Sequence, residues 1–134
     1  MSAAPTTVTP VPPQGPVLRR APEAPEVLDV GDLRGELGAV ATFVQFSSGF
    51  CAPCRATRRV LERVVGTTEG VAHVEVDVAQ RPDLAGELAV VVTPTVLLLD
   101  ATGIVVARAE GVPALAQARA AVAALSGREL PAGG

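Results

Sequence analysis

The chain has 134 residues, 49% of them hydrophobic, which suffices for one compact domain with a buried core and is too short for two comfortable ones. Its 11 basic and 14 acidic side chains leave a formal charge of -3. The acidic residues are spread along the chain, so no basic field exists to recruit nucleic acid or anionic lipid.

The first residues lack the basic start and the apolar run of roughly 7 to 15 residues that mark a secretory signal. Apolar runs elsewhere stop well short of the roughly 20 residues a membrane helix needs. The expected location is cytoplasmic, or extracytoplasmic where a signal or anchor precedes this sequence. Lysine, asparagine, tyrosine and tryptophan are absent, so the core is expected to be aliphatic, with Phe43, Phe46 and Phe50 as its only large rings.

Residues 1–25 carry seven prolines and no apolar periodicity, as expected for a disordered tail or tether. A domain is expected over residues 26–127, and residues 128–134 read as a flexible C-terminus. Within the domain a strand is expected at Val27 to Val30 and a brief helix at Asp32 to Leu37. An apolar run follows from Val40 to Phe46. From Cys51 to Val65, Ala56, Val60, Leu61, Val64 and Val65 recur at helical spacing. Arg55, Arg58, Arg59, Glu62 and Arg63 lie on the other side, as a solvated face. Val74, Val76 and Val78 alternate with Glu75 and Asp77, which predicts a strand with one buried face.

Pro82 opens a short helix that holds Leu84 and Leu88 on one face. The run from Val90 to Leu99 reads as a central strand, which begins after Pro94 because proline cannot donate to a ladder. A turn over Asp100 to Gly103 leads to a strand at Ile104 to Ala109. A last helix carries Leu115, Ala118, Val122 and Leu125 and closes at Gly127. The order is βαβαβαββα, an α/β fold.

Two cysteines cannot build a disulfide framework, so Cys51 and Cys54 point to chemistry before structure. One helical turn brings residues three apart onto one face, within reach of a reversible disulfide. At a helix N-cap, free backbone N–H groups and the macrodipole favour the Cys51 thiolate. Cys54, inside the first turn, is better shielded, as suits a resolving thiol. Pro53 fits a first turn that does not need its N–H. A structural disulfide, an inert thiol pair and a Cu(I) site remain alternatives. A zinc site would need ligands beyond His73, the only further candidate.

The chain resembles the thioredoxin family over about Val27 to Leu125. The resemblance rests on Val44-Gln45-Phe46, on Phe50-Cys51-Ala52-Pro53-Cys54-Arg55, on Val76-Asp77, on Thr93-Pro94-Thr95, and on Gly103 and Gly111. It implies a thioredoxin-like mixed central sheet of order 1-3-2-4-5 with helices on both faces, and Pro94 in cis facing the disulfide. Read from the sequence alone, Pro94 also fits a simple turn into a strand.

The resemblance further implies a thiol-disulfide oxidoreductase that reduces protein disulfides. Cys51 attacks as thiolate and Cys54 resolves the mixed disulfide. Phe50, Ala52, Pro53, Thr93 and Pro94 line the substrate site. No cofactor beyond the redox-active pair is implied. The implied partners are protein disulfides and a reductase or membrane electron donor, with the chain as a monomer. The alternative is a redox-inactive binding or Cu(I)-carrying module. Gln45 stands where the family commonly has a buried aspartate, Phe50 where it has tryptophan, Arg59 where many members have proline, and Thr93 where isoleucine is usual. His73 aligns with a buried lysine, which makes it a candidate proton relay for Cys54 next to Gln45, or otherwise a hydrogen-bonded residue at a strand end.

Overall fold

A computed structural model of the chain describes residues 19–20 and 35–129. In chain order the elements are β1 (Arg19–Arg20), β2 (Ala41–Ser47), α1 (Ala52–Thr67), β3 (Val71–Asp77), α2 (Pro82–Glu87), β4 (Thr95–Asp100), β5 (Val105–Glu110) and α3 (Leu115–Glu129). One mixed sheet runs β1-β5-β4-β2-β3. β2 pairs with β3 in parallel, and the other three pairings are antiparallel.

β2 is buried along its whole length and sits between β4 and β3. Because successive side chains point to opposite faces, it feeds two cores. Val44 and Phe46 join Val74, Val76, Leu97, Leu99 and Val105 beneath Leu84 of α2 and Leu88 at its C-cap. Ala41 and Phe43 join Val71, Val96, Leu98 and Ala107 on the other face. There Leu61 and Val64 of α1 and Ala118, Val122 and Leu125 of α3 cover them. On β5, Val105 and Ala107 face opposite cores although two residues apart. The register shift opposite Leu98 and Leu99 inserts one residue and reverses the facing.

Several sequence expectations need correction. The neighbour order β3-β2-β4-β5 agrees with the implied sheet, but the first described strand lies beside β5, the edge opposite β3. It lies inside the stretch read as a tail, where Arg19 and Arg20 pair with Arg108 and Ala107. The expected strand at Val27 to Val30, the rest of that tail and residues 130–134 fall outside the described residues.

Of the expected helix at Asp32 to Leu37, residues 35–37 are described and are not helical. Six residues flanked by glycine form a poor helix nucleus. Gly38 is needed there, since a Cβ would run into the carbonyl oxygens of Ala41 and Gly70. α3 does not close at Gly127 but continues to Glu129. Phe43 and Phe46 are core rings, whereas Phe50 is fully exposed, carried past the end of β2 by a loop.

Candidate functional site

The site lies where β2 ends and α1 begins. Cys51 is the N-cap of α1, in extended conformation, and Cys54 is its third helical residue, with a proline between them. Cys51 and Cys54 are joined as a disulfide with Cα atoms 5.1 Å apart. Helix starts leave backbone N–H groups unpaired. Here Cys51 Sγ takes one of them, and the Cys51 carbonyl accepts the first regular bond of the helix. The Cys54 N–H donates to Cys51 Sγ at 3.1 Å, and the Arg55 N–H donates to the Cys51 carbonyl at 3.2 Å. The two sulfurs differ in access, since Cys54 is 1% exposed and Cys51 is half-buried. Ala52 and Pro53 are exposed between them.

Beneath the pair a polar ring runs from buried Gln45 and Ser47 out to Glu75 and Arg58 at the surface. Gln45 is fully buried, and its amide Nε2 donates to the Cys54 carbonyl at 2.8 Å and to Ser47 Oγ at 3.0 Å. The Ser47 hydroxyl donates to Glu75 Oε2 at 2.8 Å. Arg58 grips both Glu75 oxygens through Nε and Nη2, each at 2.7 Å. This bidentate, charge-assisted pair holds the Glu75 carboxyl below its ordinary value, with the Ser47 bond adding to the effect and burial opposing it.

His73 joins the ring as a spur, with Nε2 3.0 Å from Gln45 Oε1. The Cys54 carbonyl can only accept, so it fixes the Gln45 nitrogen on its own side and leaves the amide oxygen facing His73. His73 Nε2 therefore carries a hydrogen, and its free lone pair is on Nδ1. Burial holds the imidazole below its ordinary value, against the pull of Glu75 and Glu62.

The Thr93-Pro94-Thr95 segment meets the loop that leads into Cys51. The Thr93–Pro94 peptide is cis. The hydroxyls of Ser48 and Thr93 lie 2.9 Å apart, and Phe46 of β2 is registered with Thr95 of β4. The Thr95 hydroxyl donates to the Val92 carbonyl at 2.6 Å, and the Gly111 N–H donates to the Pro94 carbonyl at 2.8 Å. Upstream, Arg108 of β5 donates to the carbonyls of Leu88 at 2.6 Å and Ala89 at 2.7 Å, just past α2, where Ala89 has φ +54°. Val91, Val92 and Phe50 are exposed on these loops.

The structure thus joins the Cys51 and Thr93 loops and makes His73 and Gln45 neighbours. Ser47, Ser48, Glu75 and Arg108 were not singled out from the sequence as site residues. The signal for two of them was parity: Ser47 shares a strand face with Gln45, and Glu75 shares one with His73. Among the described residues no cluster of three or more His, Cys, Asp or Glu side chains is arranged to hold a metal ion.

A family model described as Thioredoxin matches residues 37–123. Solved structures with the same fold include the thioredoxin of Malassezia sympodialis, 22% identical over 69% of this chain and 81% of that chain, with a TM-score of 0.57. Mitochondrial thioredoxin 3 of Saccharomyces cerevisiae is 20% identical over 70% of this chain and 84% of that chain, at a TM-score of 0.57. Chloroplastic thioredoxin z is 26% identical over 66% of this chain and 80% of that chain, at a TM-score of 0.52. No curated protein matches the sequence.

Proposed function

The chain belongs to the thioredoxin family and is a thiol-disulfide oxidoreductase, and from that premise we propose that it works as a reductant of disulfides in protein substrates. The observation that carries this reading is the asymmetry of the pair, an accessible sulfur at a helix N-cap bonded to a buried one in the first turn. The reduced Cys51 thiolate, stabilised by the N-terminal N–H groups of α1, attacks one sulfur of a substrate disulfide. The substrate's other sulfur leaves as thiolate and takes up a proton.

Cys54 then attacks Cys51 in the mixed disulfide, which releases the second substrate thiol and leaves Cys51 and Cys54 oxidised. In this reading the extended substrate segment pairs with the Thr93 backbone. Phe50, Ala52, Pro53 and Pro94 flank it. The proton of Cys54 passes through water to His73 at Nδ1, since Nε2 already carries a hydrogen. A separate reductase or a membrane electron donor recharges the pair, and the chain acts as a monomer in the cytoplasm without a further cofactor.

Insulin reduction driven by dithiothreitol tests the reading. The protein is expected to accelerate precipitation of the insulin B chain, Cys51→Ser to abolish the acceleration, and Cys54→Ser to accumulate a mixed disulfide. Loss of any acceleration over dithiothreitol alone, with Cu(I) bound by the reduced pair, would point instead to a metal-carrying module.

A further inference from the structure

The polar ring beneath the disulfide starts and ends on the same helix. From the Cys54 carbonyl it runs to Gln45 of β2, to Ser47, to Glu75 of β3 and back to Arg58, one turn after Cys54 on α1. Each step has a direction. The Glu75 carboxylate only accepts, taking two N–H groups from Arg58 and the hydroxyl hydrogen of Ser47. Ser47 has one hydrogen, so with that hydrogen on Glu75 its oxygen presents lone pairs to Gln45. The Gln45 amide then has an acceptor for each of its two N–H bonds, Ser47 Oγ and the Cys54 carbonyl.

We propose that Glu75 is a positioning residue for Cys54: by claiming the Ser47 hydroxyl hydrogen it keeps Ser47 an acceptor, which helps hold the Gln45 amide nitrogen against the Cys54 carbonyl and so ties the first turn of α1 to β2. The inference rests on the reading of Cys54 as the resolving thiol. It assigns a role in that step to a residue at the rim of the site, two side chains removed from the sulfur.

The step it serves is resolution. A mixed disulfide joins Cys51 to a leaving group. The Cys54 thiolate, its proton passed on through water, attacks Cys51 Sγ, the bond from Cys51 to the leaving group breaks, and that group departs as thiolate. The rate of an in-line attack within one helical turn depends on small displacements of the attacking atom. If position 75 carried a donor, Ser47 would accept from it and its hydroxyl hydrogen would turn to Gln45. The amide oxygen would then be drawn towards Ser47 and towards the Cys54 carbonyl, which has no hydrogen to offer. The bond from β2 to the first turn of α1 would be weakened by that competition.

The test uses the pre-reduced full chain mixed rapidly with Ellman's reagent. Cys51 attack releases one thionitrobenzoate, and attack by Cys54 on the resulting mixed disulfide releases a second. The double variant Arg58→Glu with Glu75→Arg keeps an opposite-charge pair between α1 and β3 but places a donor beside Ser47. It is expected to release the first equivalent at the parent rate and the second up to about fivefold more slowly, the rate equivalent of one full hydrogen bond, at a melting temperature close to the parent's.

Ser47→Ala, which cuts the ring without moving a charge, is expected to show the same split and serves where the double variant does not fold. A second release at the parent rate in the variant that folds, or equal slowing of both releases, would overturn the proposal. A parent protein that releases only one equivalent would sink the reading of Cys54 as resolving thiol, and this inference with it.

Discussion

His73 shows how a single half-buried side chain couples the site to pH. Its imidazole is lowered from its ordinary value of 6.5, first by burial, with Arg58 acting in the same direction and Glu75 and Glu62 against it. Just below pH 6.5 the unfolded chain therefore binds more protons than the folded one, and stability falls as pH drops through that range. The Glu75 carboxyl is depressed, chiefly by Arg58, so the stability it contributes is present above 4.5 and lost as pH falls below that.

His73→Gln removes the titration and keeps a donor for Gln45. Urea melts at about pH 7.5 and 5.5 are expected to show a lower midpoint at the acid pH for the parent and a smaller drop for the variant, the difference being at most roughly 1.4 kcal/mol per pH unit. An equal drop in both would show that His73 is not the group responsible. The same variant is expected to alter the pH profile of thiol exchange if Nδ1 receives the Cys54 proton. An unchanged profile removes that role.

Between elements, the loop before β4 is held by side chains from elsewhere. Arg108 closes the C-terminal end of α2 by donating to Leu88 and Ala89, and so anchors the loop that carries Val91, Val92 and Thr93. Its own charge is met by Glu110 at 3.7 Å. Arg108→Met keeps the aliphatic stem and removes both donors. Loss of two charge-assisted bonds, partly offset by water, is expected to cost roughly 1–3 kcal/mol of stability.

In the proposed function the same change raises KM for a protein disulfide several-fold. It leaves the first reaction with Ellman's reagent unchanged, because that small disulfide does not use the Thr93 edge. Equal effects on both substrates would show that the loop's anchorage does not govern substrate binding.

Across the whole molecule, what the sequence revealed and what it hid follow from the range of the interactions. Period-two alternation along Val74 and Val76, and helical spacing of Leu61 and Val64, are local patterns, and both place the right faces inward. The cysteine spacing was legible because one turn of helix decides it. The ring through Ser47, Glu75 and Arg58 was not, since it depends on the parallel register that sets Gln45 beside Glu75, and the nearness of His73 to Gln45 came from the family resemblance alone. Residues 28 positions apart leave no local signal of that register. The position of Arg19–Arg20 beside β5 is of the same kind, an edge pairing that a proline-rich composition conceals.

The proposed exchange requires two unequal sulfurs, one reachable at the head of a helix and one sealed in its first turn. Alkylation of the reduced protein by iodoacetamide at neutral pH, with each cysteine followed by mass spectrometry, tests it most directly. Cys51 is expected to react several-fold faster than free cysteine while Cys54 stays largely unmodified. Equal rates at both positions, or a Cys51 no faster than the free amino acid, would contradict it.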